Sequence, residues 1–248
     1  MVLMYHDVYS REASESGFQN ATAMKYKVST EAFEQQVAAV RHWLDSQSEK
    51  AEQVLFTFDD GGNSFLNVIP AILEKYGFQG VFFIATQFIG SPGFLSRDDI
   101  RSLARRGHII GSHSHTHPQR MSRLSNAQLS EEWSQSARIL SEITGAPVTH
   151  ASVPNGYDSE AVIRKMEECG YTSIYTSTPT TRLKHRNAAT VYGRYAITDA
   201  CSADDVMRLV SSPTYRLLLS ARTAVLGVAK YLLGENYLKI RKKLLGTR

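Results

Sequence analysis

Short apolar runs alternate with amphipathic segments along most of the chain. Runs such as 54–58 and 80–86 are rich in β-branched and aromatic residues, which is typical of strands buried on both faces. The segments between them, such as 29–46, place apolar residues three and four positions apart and predict helices with one buried face. Because strand and helix patterns repeat in turn, we expect one α/β domain with a parallel sheet.

Charge divides the chain unevenly. The 248 residues carry a net charge of +4, but residues 216–248 hold eight Lys and Arg against one Glu. We therefore predict one domain over residues 1–215 and a basic, amphipathic helical tail over 216–248. The tail either packs on the domain or lies on an anionic membrane surface. The confined basic residues and the lack of a recognised binding motif argue against nucleic acid as a partner.

Several features bear on the cellular compartment. Cys169 and Cys201 are the only cysteines and lie far apart, which fits a reducing environment. The first ten residues lack the basic start, long apolar region and cleavage site of a signal peptide. No run of 18 uninterrupted apolar residues predicts a transmembrane helix. We expect a cytoplasmic protein, peripheral to the membrane if the tail binds lipid.

Two polar clusters follow predicted strands. Asp59 and Asp60 come after the run 54–58, and the helical spacing beyond them argues against a hairpin turn. Three histidines at alternate positions, His113, His115 and His117, follow another apolar run. Since the carboxyl ends of parallel strands meet at one edge, the clusters should lie together. One carboxylate and two imidazoles form a typical ligand set for a catalytic divalent metal.

The stretches TFDDG and HSHTHP resemble the first two motifs of the polysaccharide deacetylases, carbohydrate esterase family 4, and YHDV near the N-terminus is also similar. The resemblance implies a distorted, incomplete (β/α) barrel. It implies that Asp60, His113 and His117 bind the metal and that Asp59 is the catalytic base. Zn²⁺ is the preferred metal in this prediction, with Co²⁺, Ni²⁺ or Mn²⁺ as alternatives.

The third motif departs from the family pattern. The family has an Arg two residues before a Pro-aromatic-Gly unit, whereas this chain has Ser152 at the Arg position and Asn155 at the aromatic one. The resemblance implies that Pro154, Asn155 and Gly156 form a wall of the pocket, with the Asn155 N–H as an oxyanion donor. A similar Ser-Val-Pro occurs in the subset associated with exopolysaccharide synthesis. Arg194 is our candidate for the missing arginine.

The general acid has no firm assignment from the sequence. The family's final Leu-x-His motif is similar to Leu183–His185, but that stretch is polar and loop-like. His6 on the first predicted strand is the alternative catalytic candidate. The resemblance implies a metal-dependent hydrolase that removes acetyl groups from N-acetylated sugars of a polysaccharide or its lipid-linked precursor. Hydrolysis of a small non-sugar amide, or glycan binding by a weakly active pseudoenzyme, are the alternatives.

Overall fold

The computed structural model describes residues 1–47, 53–221 and 223, and these residues form a curled parallel sheet with helices packed on its outside. The strands are β1 (Val2–Tyr5), β2 (Val8–Tyr9), β3 (Val28–Ser29), β4 (Leu55–Phe58), β5 (Gly80–Ile84), β6 (Ile109–Ser112), β7 (His150–Ser152), β8 (Ser173–Tyr175), β9 (Lys184–His185), β10 (Thr190–Tyr192) and β11 (Tyr195–Ala196). The main sheet has the order β11-β1-β4-β5-β6-β7-β8-β10-β9, and only β9 is antiparallel to its neighbour. β2 and β3 form a separate parallel pair.

The predicted caps explain where most helices begin. The helices are α1 (Ala21–Met24), α2 (Thr30–Ser46), α3 (Ser64–Asn67), α4 (Ile69–Lys75), α5 (Arg97–Arg105), α6 (Asn126–Thr144), α7 (Glu160–Glu168) and α8 (Ala203–Ser211). Ser96, Ser125 and Ser202 each accept a hydrogen bond from the third helical residue within a capping box. At α7 Ser159 supplies the capping oxygen, which accepts from the Val162 N–H.

The strands bury both faces, as the apolar runs predicted. Alternate side chains, such as Val81 and Phe83, point into the curl of the sheet, where they meet Tyr175. The other set, including Phe58 and Phe82, packs against the helices, and these two rings stack at 5.0 Å. The predicted fold class, an incomplete (β/α) barrel, is confirmed.

Two predicted elements are each divided into two. The helical pattern after Asn63 splits into α3 and α4, because Pro70 has no N–H to donate to the carbonyl of Leu66. The run 190–197 splits into β10 and β11, which lie towards opposite ends of the strand order. Gly193 lies at this break, and a Cβ there would stand 2.4 Å from the Thr178 carbonyl oxygen. Arg194 follows directly and therefore occupies the seam of the barrel.

The C-terminal prediction is only partly covered. Residues 213–221 are helical, and Leu217 and Leu218 on this helix are exposed. The rest of the predicted amphipathic tail, including its contact with a membrane, lies outside the described residues. The division at residue 215 stays a prediction. Within the described ranges, no helix combines the length and the apolar character needed to cross a bilayer.

Candidate metal centre

The two predicted clusters meet beyond the carboxyl ends of the strands. Asp59 and Asp60 follow β4, and the histidine segment begins immediately after β6. Four non-glycine residues of the described chain have positive φ, and all four belong to the loops of this centre: Asp60, Ser114, His117 and Asn155. Left-handed backbone is costly for such residues and concentrates where side chains must be aimed. The strain marks these loops as the functional edge of the sheet.

Asp60, His113 and His117, the metal ligands that the family resemblance implied, lie close together. The Asp60 Oδ1 atom lies 3.4 Å from the Nε2 atom of each histidine. One potential ligand atom from each residue falls within 4.8 Å of the others. One carboxylate oxygen and two imidazole nitrogens converging from a buried loop pair suit a catalytic divalent metal. The residues present therefore fit the metal that the sequence implied.

Ser152 orients the His113 ring by contacting its Nδ1 atom. The His113 Nδ1 atom lies 2.6 Å from the Ser152 Oγ atom and 3.1 Å from the Ser152 carbonyl oxygen. The same hydroxyl donates to Asp59 Oδ1 at 3.1 Å, so it accepts from Nδ1–H rather than donating to it. The neutral ring consequently carries its proton on Nδ1 and presents the Nε2 lone pair towards Asp60, as metal-binding histidines commonly do.

Arg194 forms a two-pronged ion pair with Asp59. Its two terminal nitrogens each lie 2.7 Å from a different Asp59 oxygen. The guanidinium also donates to the Thr57 hydroxyl and, through Nε at 3.1 Å, to the Thr176 carbonyl. Its plane lies over the Phe83 ring, with 5.5 Å between its carbon and the ring centroid. Arg194 is fully buried, and every nitrogen of its fork has an acceptor.

The charges of the centre support one another. Burial would raise the pKa of the Asp59 carboxyl, but Arg194 and His113 outweigh burial and hold that pKa below its usual 3.8. Burial likewise opposes ionisation of Asp60, whose pKa the two imidazoles hold well below 3.8. Burial lowers the pKa of His113, but the opposite effect of Asp59 and Asp60 is larger. The pKa of His113 therefore lies above its usual 6.5. Both carboxyls are therefore ionised at neutral pH.

The centre opens into a cavity of about 810 Å³. Its described lining consists of Met4, His6, Phe18, Asn20, Thr22, Ala23, Tyr26, Asp59, Asp60, His113, His117, Gln119, Arg120, Asn155, Tyr157, Ser177 and Ala196. The ring of His6 packs on Tyr26 with 4.6 Å between centroids, and its Nδ1 atom is buried with no partner among the described residues. A cavity of this size with a few polar groups suits a small ligand or part of a polymer.

The remaining predicted residues separate into two groups. Asn155 lines the cavity, whereas Pro154 is buried beneath it and Gly156 packs beside Ser177. His185 is exposed on the edge strand β9 and pairs with Thr190, at the start of β10. That position is at the opposite end of the sheet from the metal ligands, so His185 has no place in the centre.

The segment before β3 forms one wall of the cavity and was predicted only as a loop. The buried Asp7 carboxylate accepts from Ser16 Oγ at 2.6 Å and Ser64 Oγ at 2.9 Å. Lys27, also buried, donates to the backbone carbonyls of Ala13 and Ser16. These bonds fix the wall to the loop after β4. A charged residue directly after the first strand was the available signal.

Glu132 supports the histidine loop and was not predicted either. It is 8% exposed and accepts from the backbone N–H groups of His115 and Thr116, at 2.9 and 2.8 Å. The His115 ring turns away from the ligands to contact Thr86, with 2.9 Å between Nδ1 and Oγ1. The signal in the sequence was an acidic residue on the apolar face of α6, beside the buried Trp133.

Comparison with known proteins agrees with the fold and identifies the family. The profile of the family described as polysaccharide deacetylase matches residues 46–174, just over half of the chain. The peptidoglycan-N-acetylmuramic acid deacetylase PdaA of Bacillus subtilis is 28% identical over 130 residues, which cover 52% of this chain and 48% of PdaA. The first curated relatives extend well beyond the match, since the chain spans between 5% and 64% of their length.

Solved structures show the same fold. The deacetylase PplD of Streptococcus pyogenes, in complex with acetate, superposes with a TM-score of 0.65 at 20% identity, covering 85% of this chain and 97% of PplD. IcaB from Ammonifex degensii superposes with a TM-score of 0.66 at 18% identity, covering 85% of this chain and 96% of IcaB. At these identities the likeness concerns the fold alone.

Proposed function

Because the chain belongs to the polysaccharide deacetylase family, we propose that it is a metal-dependent hydrolase that removes acetyl groups from N-acetylated sugars of a polysaccharide or its lipid-linked precursor. The observation that carries the proposal is the convergence of Asp60, His113 and His117 beside a second carboxylate, Asp59, that Arg194 holds outside the ligand set. A site that only bound metal would have no use for a buried, oriented base next to it.

Asp60, His113 and His117 would hold the cation, for which Zn²⁺ is our first choice and Co²⁺, Ni²⁺ or Mn²⁺ are alternatives. When bound, a divalent cation would act as a Lewis acid, acidifying a water molecule and polarising the acetamide carbonyl. Such help is needed here, because the pKa of Asp59 is held below 3.8 and a weak base cannot deprotonate ordinary water efficiently.

Asp59 accepts the proton of the attacking water in this mechanism. Arg194 donates to both of its oxygens and Ser152 to Oδ1, while Oδ2 also lies 3.9 Å from His113 Nε2. Oxygen from water bonds to the acetyl carbon, the C–N bond breaks, and acetate and a free amine leave. We assign His6, on the cavity wall, as the donor of the proton that the amine requires.

The turn Pro154–Gly156 provides the oxyanion donor in this proposal. The left-handed backbone of Asn155, with φ of 56°, places this residue on the cavity lining. Its N–H would stabilise the negative charge that develops on the carbonyl oxygen. Pro154 fixes the entry to the turn, and Gly156 permits its close packing on Ser177.

Two observations favour a glycan over a small amide. The described lining of the cavity includes the aromatic side chains of Phe18, Tyr26 and Tyr157. Aromatic faces pack well against the apolar faces of sugar rings. PdaA is named as a peptidoglycan-N-acetylmuramic acid deacetylase, and the membership of this chain in the polysaccharide deacetylase family extends a glycan substrate to it as a proposal.

The first test combines metal content with turnover. Wild-type protein should bind about one divalent ion per chain and release acetate from N-acetylglucosamine oligomers once it is loaded with zinc or cobalt. The double variant His113→Ala/His117→Ala should lose both properties. His115→Ala is the matched control, because His115 lies between the two ligands but contacts Thr86, and it should keep the ion.

Asp59→Asn separates catalysis from binding. It should keep the ion while acetate release falls by about 10²–10⁴-fold, the usual contribution of a general base. Unchanged turnover would remove Asp59 from the mechanism. Tight glycan binding with no acetate release by metal-loaded wild type would favour the pseudoenzyme, and release of acetate only from small non-sugar amides would favour that alternative.

A further inference from the structure

Arg120 lines the same cavity as Phe18 and Tyr26. The left-handed backbone of His117 turns the chain after the last metal ligand, so that Gln119 and Arg120 follow the cavity edge. The Asn155 side chain donates to the Pro118 carbonyl at 3.4 Å and ties this turn to the next loop. Arg120 therefore lies only three positions after His117, at the end of the histidine loop.

The Arg120 side chain is supported by an aromatic ring. Its guanidinium carbon lies 5.2 Å from the centroid of the Tyr157 ring, which is 42% exposed. This stacking holds the long side chain while leaving its planar N–H groups available. In the described part of the chain, no carboxylate forms an ion pair with Arg120.

The other charges of the lining have partners. Asp59 and Asp60 are the only carboxylates among the described residues that line the cavity. Arg194 neutralises Asp59, and Asp60 faces His113 and His117. Arg120 thus contributes a positive charge that no carboxylate of the described lining offsets. A pre-oriented guanidinium without a partner is the usual arrangement for recognising a carboxylate or another oxyacid.

We propose that Arg120, stacked on Tyr157, recognises an acidic substituent on the sugar chain, so that the preferred substrate is an anionic N-acetylated glycan rather than a neutral one. The inference rests on the proposed deacetylation and specifies its substrate class. Arg120 takes no part in bond cleavage. It sets specificity by binding an acid group that lies next to, or on, the sugar that loses its acetyl group.

The test uses two tetrasaccharides that differ only in charge. The first alternates N-acetylglucosamine and N-acetylmuramic acid, with free lactyl carboxylates, and the second is its methyl ester. Wild type should process the acid with a kcat/KM about tenfold higher than the ester, mainly through a lower KM, which corresponds to one charged contact. The preference should shrink as salt is raised, because an exposed charge is screened.

Arg120→Gln should abolish the preference for the acid over the ester, and Arg120→Glu should reverse it. Arg123→Gln is the matched control: it removes the same charge from an exposed residue three positions along that does not line the cavity, and it should keep the preference. Equal processing of acid and ester by wild type, or an equal loss of preference in Arg123→Gln, would overturn the proposal.

Binding separates the failure of this inference from the failure of the proposed function. If metal-loaded wild type releases acetate from neither tetrasaccharide, the proposed reaction is wrong for these glycans. Calorimetry with the same acid and ester then decides the role of Arg120. Tighter binding of the acid by wild type, lost in Arg120→Gln, would support the role, and equal binding of acid and ester would refute it.

Discussion

Arg194 donates a hydrogen bond to each oxygen of Asp59, although Arg194 and Asp59 are 135 residues apart in sequence. The family pattern places an arginine where this chain has Ser152, and Arg194 reaches the same carboxylate from the seam between β10 and β11. Ser152 meanwhile bonds Asp59 from the other side, at 3.1 Å. Asp59 is thus held by an arginine from a different part of the barrel than the position where the family pattern has one.

Removing the guanidinium should destabilise the protein as well as inactivate it. Arg194→Ala leaves Asp59 buried without a counter-ion, and we expect the free energy of unfolding to fall by about 3–5 kcal/mol. Urea denaturation measures the loss. The double variant Asp59→Asn/Arg194→Ala should recover part of the stability, because it no longer buries a lone charge. A single variant as stable as wild type would contradict the importance of this ion pair.

Ser152→Ala should weaken metal binding. The substitution removes the hydroxyl that lies 2.6 Å from His113 Nδ1, although the Ser152 carbonyl still contacts that nitrogen. Loss of a group that orients a ligand typically costs about 10–100-fold in affinity, and we expect the lower part of that range. Competition with a zinc chelator measures it. Ser141→Ala, whose hydroxyl accepts only from the Val148 N–H, serves as control and should bind zinc as wild type does.

The metal-free protein should lose stability as the pH rises above neutrality. The folded pKa of His113 lies above 6.5 because Asp59 and Asp60 favour its charged form. A group with a raised folded pKa contributes stability that is fully present below its unfolded pKa and is lost as the pH rises through the folded one. Thermal unfolding of chelator-treated protein should show this decline as the pH rises above the ordinary histidine pKa of about 6.5.

Two comparisons check the origin of that pH dependence. His113→Gln cannot be protonated, so its stability should change less over the same interval. Zinc should act in the opposite sense, since protons compete with the metal for His113 and metal affinity should rise with pH. A wild-type melting temperature that is flat across this range, in the absence of metal, would show that His113 titrates near its ordinary pKa.

The backbone at Asn155, rather than its side chain, should matter for turnover. With φ of 56° the residue is left-handed, a conformation that glycine adopts freely and β-branched residues resist. Asn155→Gly should therefore keep most acetate release, while Asn155→Val should lower it and destabilise the turn by about 1–2 kcal/mol. Steady-state kinetics on N-acetylglucosamine oligomers distinguish the two. Equal activity of both variants would exclude an oxyanion role for this N–H.

The sequence predicted the parts of the molecule that depend on local patterns. The alternation of apolar runs and amphipathic segments was enough to predict an α/β domain with a parallel sheet. The candidate metal ligands could be recognised in the sequence because the aspartate pair and the histidines each follow a predicted strand. Arg194 was a candidate because it lies at the end of a predicted strand, although its contact with Asp59 could not be predicted from the spacing.

The remaining features depend on contacts between distant segments. The seam at Gly193 could not be predicted, because the run 190–197 is compatible with one strand until its two halves pair with different neighbours. The wall of the cavity likewise depends on Asp7, whose partners Ser16 and Ser64 lie in separate loops. Polar residues in a loop carry no sign of which buried carboxylate they will meet.

The position of Arg194 at the seam also constrains the order in which the chain can fold. Strands β4 to β8 can pair as they emerge, but the carboxylate after β4 has no counter-ion until the last part of the sheet is in place. An intermediate that seals Asp59 away from water before Arg194 arrives would bear an unpaired buried charge, which is strongly unfavourable. Closure of the barrel and dehydration of the base should therefore occur together, as one cooperative late step. A nascent chain would stay open at its reactive edge until its final strand is added.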